Sequence, residues 1–304
     1  MASDHPTKLY LWKGRLLALG AAVLWSTSGF FAKAPIFENW PSENRGLLLA
    51  FWRAAFASII LVTLVRRPRL TWKLIPMVLV FALMNWTFLT ALVQCESTVA
   101  IWLQYTSPAW VFLISWKFFK DVPKQADWWL LASAVVGLAV IFSAELGGTS
   151  VRGTFYGLGS GFCFAAVVIL LRYLRDYDAA WLIFLNHLIT ACLFAPIYLR
   201  SEFSPTSTQY VYLAIFGIFQ MGLPYVLFAK SVQYISSHEA SGITLLEPLL
   251  VPVWVYVAWH GSPEYQFPTW TTLLGAAVIF SGLAIRYGFD WYHASVSRLD
   301  RKDS

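Results

Sequence analysis

Arg53, His187 and Glu247 lie inside stretches of sequence that are otherwise strongly apolar. A charged group in such a stretch is costly, so each is a candidate for function. Glu247 comes directly before Pro248, and a proline leaves a carbonyl of the preceding helical turn unpaired. This pair predicts a locally opened helix in which Glu247 faces a cavity and either pairs with an ammonium group or exchanges a proton. The alternative is a buried structural carboxylate.

Arg53 and His187 each allow two interpretations. Arg53 is either a side chain that reaches the outer lipid headgroups or a gate or anion contact at the mouth of a cavity. Arg53 and Glu247 are expected about 10 Å from opposite faces of the membrane, since each lies seven residues into its span at a rise of about 1.5 Å per residue. About 10 Å of the roughly 30 Å hydrocarbon layer then separates them, so we expect no direct ion pair. His187 could titrate near neutral pH and act in coupling, or it could be a satisfied interhelical histidine.

Two matching stripes of polar residues accompany these charges. Gln104 and Ser107-Pro108 share one helix face, as do Thr244 and Glu247-Pro248. We expect Pro108 and Pro248 to break their helices and both stripes to line one cavity midway through the membrane. Two amides and two indoles could complete it, although both residue types also serve in ordinary helix packing. The predicted cavity residues are Trp25, Asn85, Trp102, Gln104, Ser107, Gln220, Thr244 and Glu247.

The elements that must position these residues are membrane helices. The chain of 304 residues is 58% hydrophobic and only 12% charged, with a mean hydropathy of +0.60, whereas soluble domains carry about 25% charged residues. Apolar runs approach or reach the roughly 20 residues that cross a bilayer as a helix. We predict an all-α integral membrane protein with ten transmembrane helices, at residues 14–33, 46–65, 74–94, 97–116, 128–145, 154–173, 179–199, 209–229, 240–259 and 269–287.

The ten predicted spans form two sets of five. Residues 14–33 align with 153–172, each beginning with Gly and ending with a cation, and Ser107-Pro108 aligns with Glu247-Pro248. Since five is odd, the second set must enter the membrane from the opposite side. The loop after the fourth span carries three lysines, whereas the loop after the ninth has no Lys or Arg.

These features predict two inverted five-helix repeats, at residues 1–146 and 153–288, followed by a cytoplasmic tail at 289–304. Most of the 22 lysines and arginines fall on the side of the two termini. The positive-inside rule therefore predicts that both termini are cytoplasmic. We expect a multi-pass protein of the cell inner (plasma) membrane.

The same residues resemble those of the EamA-type members of the drug/metabolite transporter superfamily. The string from Ala22 to Ser26, ending at Lys33, resembles the first-helix pattern of that family, and residues 91–108 and 119–123 resemble its third-to-fourth helix segment and the acidic-Pro ending of its fourth helix. Two departures are Ser26, where the family usually has Gly, and residues 261–263, where the acidic-Pro ending is missing. The resemblance implies export of small metabolites, such as amino acids or cationic drugs, through a central cavity.

We therefore expect a secondary transporter that exports amino acids or amphipathic amines by alternating access, without a cofactor or metal. Its expected partners are a small-molecule substrate and the bilayer, not nucleic acid, and it should be a monomer or weak homodimer. The sequence contains no P-loop, HExxH or nucleophile elbow, so we expect no enzyme. A polytopic membrane enzyme acting on lipid-like substrates is the alternative, and a membrane sensor or assembly subunit is a weaker one.

Overall fold

The computed structural model describes most of the chain, and every regular element in the described part is helical. The predicted tail at 289–304 lies outside the described residues. The described residues are 8–32, 34–37, 39–41, 44–94, 97–119, 125–145, 151–201, 203–260, 270–271, 273–275, 277–282 and 284–285.

In the described part of the chain, thirteen α-helices have both ends defined. The first predicted repeat contains α1 (Lys8–Trp25), α2 (Ser28–Ala32), α3 (Arg45–Leu61), α4 (Leu74–Gln94), α5 (Ser97–Gln104), α6 (Ser107–Phe119) and α7 (Gln125–Glu145). The second contains α8 (Val151–Tyr173), α9 (Ala179–Arg200), α10 (Ser207–Ile215), α11 (Leu223–Ser231), α12 (Ser237–Thr244) and α13 (Leu246–Trp259). Short 3-10 turns at Pro35–Phe37 and Val62–Leu64, a π-helical turn at Phe216–Gly222 and an apolar helix at Leu273–Gly282 complete the description.

Among the described residues, five helical segments are long and apolar enough to cross a membrane, which agrees with a multi-pass membrane protein. Their mean hydropathies lie between 1.8 and 2.1. Three of the remaining predicted spans are divided into two helices, and in the other two the apolar stretch is shorter, at Trp128–Val140 and Leu273–Gly282. The number of crossings is therefore not settled by helix length. The five segments are Arg45–Leu64, Leu74–Ala91, Arg152–Tyr173, Ala179–Arg200 and Ser207–Ser231.

Local sequence signals explain where several helices begin. Asp178 caps α9 by accepting a hydrogen bond from the backbone N–H two residues later. Thr206 and Gln209 form a reciprocal capping box at α10, and Ser236 caps α12 by accepting from the N–H of Glu239. These side chains satisfy backbone donors that have no partner within a helix. Polar residues at the ends of apolar runs therefore fix the helix boundaries.

Two helices are interrupted beside the prolines that the sequence singles out. The break between α5 and α6 falls at residues 105–106, directly before Ser107-Pro108, and the break between α12 and α13 falls at Leu245, directly before Leu246-Glu247-Pro248. Each proline therefore lies in the first turn of a new helix, where its missing N–H leaves no hydrogen bond unmade. A third interruption separates α1 from α2 at residues 26–27.

The helices of the two halves pack on each other in a pattern that repeats. α4 packs against α8, and α1 packs against α11. α5 and α6 contact α8, while α12 and α13 contact α1. α3 packs against α9, and α6 packs against α12. When the corresponding spans of the two predicted repeats are exchanged, each of these contacts maps onto another contact of the set or onto itself.

Apolar side chains occur both in the core and on the surface of the helices. The largest buried cluster joins α1, α4, α8, α9 and α11, with Phe81, Leu171 and Phe228 among its fully enclosed members. On the outside, Phe155 is 72% exposed and Leu199 77% exposed. Apolar surface on this scale is unfavourable in water, whereas hydrocarbon chains solvate it.

Candidate functional site

A small cavity, here called the central cavity, lies among the interrupted helices. Its volume is about 30 Å³, room for about two water molecules. Much of its polar lining comes from the ends of α1 and α5, the starts of α2 and α13, and the π-helical turn. At such interruptions the backbone leaves polar groups free to face a cavity. The lining residues are Trp25, Ser28, Arg53, Met84, Asn85, Phe88, Gln104, Phe164, Gln220, Met221, Tyr225 and Glu247.

Arg53 of α3 is the cation of the central cavity. Its side chain is only 2% exposed, so it does not extend to the headgroups. Its Nη2 donates to Oδ1 of Asn85 over 2.8 Å, and its Cζ lies 5.2 Å from the centre of the Phe216 ring. Among the described residues, no carboxylate lies within 4.0 Å of this guanidinium. The structure therefore places a buried cation at the cavity, with no counter-ion in contact from the part of the chain that it describes.

Neighbouring residues hold both the side chain and the backbone of Arg53 in place. Asn85 donates from Nδ2 to the Phe81 carbonyl over 2.9 Å, which holds its Oδ1 toward the guanidinium. On the other side, the π-helical turn approaches α3 at Gly217. A Cβ added to Gly217 would lie 2.6 Å from the Arg53 carbonyl oxygen, so only glycine permits this contact without a shift. The guanidinium is consequently held by packing and by one amide.

Glu247 lines the same cavity from the first turn of α13 and is partly buried. The Tyr105 hydroxyl lies beside its carboxyl group. Tyr225 interacts electrostatically with both Glu247 and Arg53, and its hydroxyl lies 3.6 Å from Sδ of Met84. Arg53 and Glu247 form no ion pair, as their predicted depths require. The cavity thus brings a cation and a carboxyl group together beside one phenol.

Trp25 and Gln220 connect the α1–α2 interruption to the π-helical turn. Nε2 of Gln220 donates to the Trp25 carbonyl over 3.3 Å. The Trp25 ring packs edge-on to Tyr225, with centroids 4.7 Å apart, and edge-on to Phe164 at 5.9 Å. An aromatic wall therefore lies beside the polar groups of the cavity.

Ser26, where the family pattern usually has Gly, has a clear structural role. Its Oγ donates to the Val23 carbonyl over 2.6 Å and accepts from Nε1 of Trp254 over 2.7 Å. A glycine would lack the hydroxyl that makes both hydrogen bonds. Ser26 thereby joins the α1–α2 interruption to α13, the helix that carries Glu247.

Four buried polar atoms of the cavity lining have no hydrogen-bond partner among the described residues: Nε1 of Trp25, Oγ of Ser28, Nε of Arg53 and Oε1 of Gln220. Buried polar atoms are normally paired, so a group of unpaired ones requires an explanation. Three of these atoms can donate and one accepts. They suit a small polar molecule or water in the cavity.

Three of the predicted cavity residues do not line the central cavity. Trp102 packs among apolar residues of α7 and the last helix. Ser107 is buried, and Thr244 donates to the Ser241 carbonyl over 2.8 Å. His187 does not line the cavity either: it is fully enclosed, with its ring 4.9 Å from Phe81 and 5.9 Å from the ring of the lining residue Tyr225. The residues that the structure brings together from the prediction are Trp25, Arg53, Asn85, Gln104, Gln220 and Glu247.

The sequence reasoning missed the two tyrosines of the site. Tyr105 lies in the α5–α6 interruption, one residue after Gln104, and Tyr225 directly follows Pro224 inside a predicted span. Proximity to a break or to an in-span proline is the signal that could have found them. Of the other lining residues that the sequence did not indicate, Ser28 directly follows the α1–α2 interruption, whereas the others carry no such signal: Met84, Phe88, Phe164 and Met221.

Close helix packing brings α8 onto the α5–α6 interruption. A Cβ added to Gly161 would lie 2.8 Å from the Leu103 carbonyl oxygen, and one added to Gly157 would lie 2.6 Å from Cδ1 of Leu103. Gly159, on the other face, has nothing within 4 Å. Gly157 and Gly161 therefore serve helix packing, as expected for small residues in membrane helices.

Comparisons with known proteins agree with this description. A model of the EamA-like transporter family matches the chain twice, over residues 12–143 and 151–287. A protein of Archaeoglobus fulgidus described as an uncharacterized transporter is 25% identical over 206 residues, covering 66% of this chain and 71% of that protein. A crystal structure of another protein superposes with a TM-score of 0.75 at 16% identity, covering 90% of this chain and 95% of the other, and shows a shared fold. Because the two family matches span most of the sequence, the chain belongs to the EamA-like transporter family, a part of the drug/metabolite transporter superfamily.

Proposed function

We propose that this protein is a secondary transporter that exports amino acids or amphipathic amines by alternating access through the central cavity. The observation that carries the proposal is the buried Arg53 guanidinium, which faces the same cavity as Glu247 without pairing with it. Burying an ion costs several kcal/mol unless a partner compensates for the lost hydration. A substrate that brings its own opposite charges would supply that partner.

The arrangement suits a zwitterion. The guanidinium of Arg53 can bind a carboxylate through two parallel hydrogen bonds, and the carboxylate of Glu247 can accept from an ammonium group. The faces of Trp25 and Tyr225 offer apolar area and cation–π contact to the remainder of the molecule. An amine without a carboxylate would use Glu247 and the aromatic wall alone.

Substrate entry requires the central cavity to grow. A space of about 30 Å³ admits water but not an amino acid, so in this proposal the structure represents a closed conformation. The interruptions in α1–α2, α5–α6 and α12–α13 border the cavity and supply joints at which helices can move apart. Between the halves, Arg15 of α1 pairs with Glu239 of α12 over 2.7 Å. This contact would have to open when the cavity faces the cytoplasm.

Two five-helix repeats that rock against each other would supply the alternating access. The repeating pattern of helix contacts supports a two-fold relation between the halves. With five crossings in each half the relation must be inverted. The lysine-rich and arginine-rich connections support cytoplasmic termini, and we propose the plasma membrane as the location.

Membership in a transporter family supports a non-enzymatic role. The enzyme alternative would need a cluster of acidic side chains at a membrane face, and Asp176 and Asp178 lie close together in the connection between α8 and α9. In the structure the Asp178 carboxylate accepts from the backbone N–H groups of Arg66, Arg67 and Ala180. Its oxygens are occupied in capping, which leaves them poorly suited to catalysis.

Flux measurements in proteoliposomes test the proposal. The purified full chain would be reconstituted and assayed for uptake and counterflow of a panel of amino acids and their decarboxylated amines, without ATP. We expect saturable flux that excess unlabelled substrate inhibits. Absence of flux together with turnover of a phospholipid would replace the transporter proposal with the enzyme alternative, and absence of both would leave a sensor or assembly subunit.

A further inference from the structure

A second and larger cavity opens at the end of the helices that is predicted to be cytoplasmic. Its volume is about 630 Å³, and it shares no lining residue with the central cavity. We call this cavity the basic pocket, because cationic side chains from three separate segments line it. These cations are Arg66, Arg67 and Arg69 after α3, Arg175 between α8 and α9, and Lys230 at the end of α11.

The carboxylates of the pocket do not neutralise these cations. Asp178 is used by the backbone, since its Oδ2 accepts from the N–H of Arg66 over 2.7 Å and of Arg67 over 3.0 Å. Its Oδ1 caps α9. Asp176 also lines the pocket, but among the described residues none of the five cationic side chains has a carboxylate oxygen within 4.0 Å. The pocket therefore keeps an excess of unpaired positive charge.

The segments that carry the cations are held in place by side-chain hydrogen bonds. Nε1 of Trp181 donates to the Arg69 carbonyl over 3.0 Å. Nε2 of Gln233 donates to the Arg175 carbonyl over 3.0 Å. These bonds and the Asp178 cap fix the backbone while leaving the guanidinium groups free. Such preorganisation lowers the ordering cost of binding.

We propose that the basic pocket binds a phosphate-bearing anion, from either an anionic phospholipid headgroup or a free phosphate compound. Guanidinium groups match phosphate geometry, and basic pockets between membrane helices on the cytoplasmic side suit anionic headgroups. The positive-inside rule explains the number of cations on this face, but it does not require them to converge on one cavity with a fixed backbone.

An apolar strip leads from the pocket along α3. Leu64 lines the pocket and is 46% exposed, and Ile60, one turn earlier, is 38% exposed. An acyl chain could follow this strip while its phosphate meets the arginines. This apolar strip favours a phospholipid as the source of the phosphate. Binding of a phospholipid headgroup at this pocket rests on the membrane orientation proposed above, whereas binding of a free phosphate compound does not.

Binding can be measured without transport, so its outcome is independent of the proposed function. The purified full chain in detergent would be titrated with phosphatidylglycerol, with phosphatidylcholine of the same acyl chains and with inorganic phosphate, and bound molecules counted by native mass spectrometry. The test variant replaces Arg66, Arg67 and Arg175 with Gln. The control is Lys117→Gln, which removes an exposed cation of α6 outside the pocket.

We expect phosphatidylglycerol to bind at least tenfold more tightly than phosphatidylcholine. Each cation near an anionic headgroup contributes about fivefold, so the triple variant should bind about a hundredfold more weakly while Lys117→Gln changes binding less than twofold. Preferential binding of inorganic phosphate, lost in the same variant, supports the soluble source. If the triple variant does not fold, the single Arg175→Gln variant is compared with Lys117→Gln instead, and its affinity for phosphatidylglycerol should fall about fivefold. Equal binding by the test and control variants, or no preference for any phosphate anion over phosphatidylcholine, overturns the proposal.

Discussion

Arg53→Gln removes the cation from the central cavity and keeps a side chain that can still donate to Asn85. In the wild-type protein the guanidinium is buried, with Nε unpaired and Nη2 bonded to the amide over 2.8 Å. If a substrate carboxylate binds there, the variant loses a hydrogen bond to a charged group, about 1.5–3 kcal/mol. Since 1.4 kcal/mol is a factor of ten, we expect kcat/KM for amino acids to fall about 10- to 150-fold.

The assay compares matched substrates in proteoliposomes, for example phenylalanine and phenethylamine, which differ by the carboxylate. Because the amine has no group to pair with Arg53, its transport should change by less than threefold, or improve as a repulsive charge is removed. Arg200→Gln is the control, since it removes an exposed cation at the end of α9. It should leave both substrates unaffected.

The reasoning about Arg53 is refuted by either of two results. Equal losses for the amino acid and the amine would mean that Arg53 acts through structure and not through the carboxylate. Unchanged transport of the amino acid, in a variant that folds and inserts, would mean that no anionic group binds at this position.

Three further predictions follow from the structure and a fourth from the repeat in the sequence. Glu247→Gln should abolish transport or remove its pH dependence while expression persists, and unchanged transport would reject a role for this carboxylate. Gly161→Ala places a methyl group against the carbonyls at the end of α5, so overpacking by about 1–3 kcal/mol should lower the melting temperature in detergent. Burial alone would raise the pKa of Asp178, but the backbone N–H groups that donate to its carboxylate outweigh burial and hold the pKa below its ordinary value. This carboxylate therefore stabilises the fold above about pH 4, and the stabilisation is lost as the pH falls further. Asp178→Asn should accordingly reduce the decline in the free energy of unfolding that is measured at acid pH. Cysteines introduced at Val122 and Ser262, both outside the described residues, should react with impermeant reagents from opposite sides of the membrane, and labelling from the same side would contradict the inverted repeat.

Much of the candidate site could be anticipated, because ionisable and amide groups are conspicuous in an apolar background. Arg53, Asn85, Gln220 and Glu247 stand out for this reason, and all four line one cavity. The stripe argument was less successful. It assumed that the helix is continuous from Gln104 to Ser107 and from Thr244 to Glu247, with any break at the prolines that follow. The interruptions at 105–106 and at Leu245 fall between the paired residues, and Ser107 and Thr244 do not line the cavity that Gln104 and Glu247 line.

The sequence by itself indicated that this protein lies in a lipid bilayer and that its secondary structure is helical. Hydropathy, the short connections and the distribution of Lys and Arg are properties of the chain before it folds, and they are enough to predict membrane helices. The resemblance to EamA-type transporters comes from short motifs, which are also local in sequence. Only the tertiary structure decided which polar groups meet. That choice depends on how α3, α4, α11 and α13 rotate and approach one another, through contacts such as Gly217 on α3 and Tyr105 on Glu247. These contacts join residues far apart in sequence, so no local pattern in the chain records them.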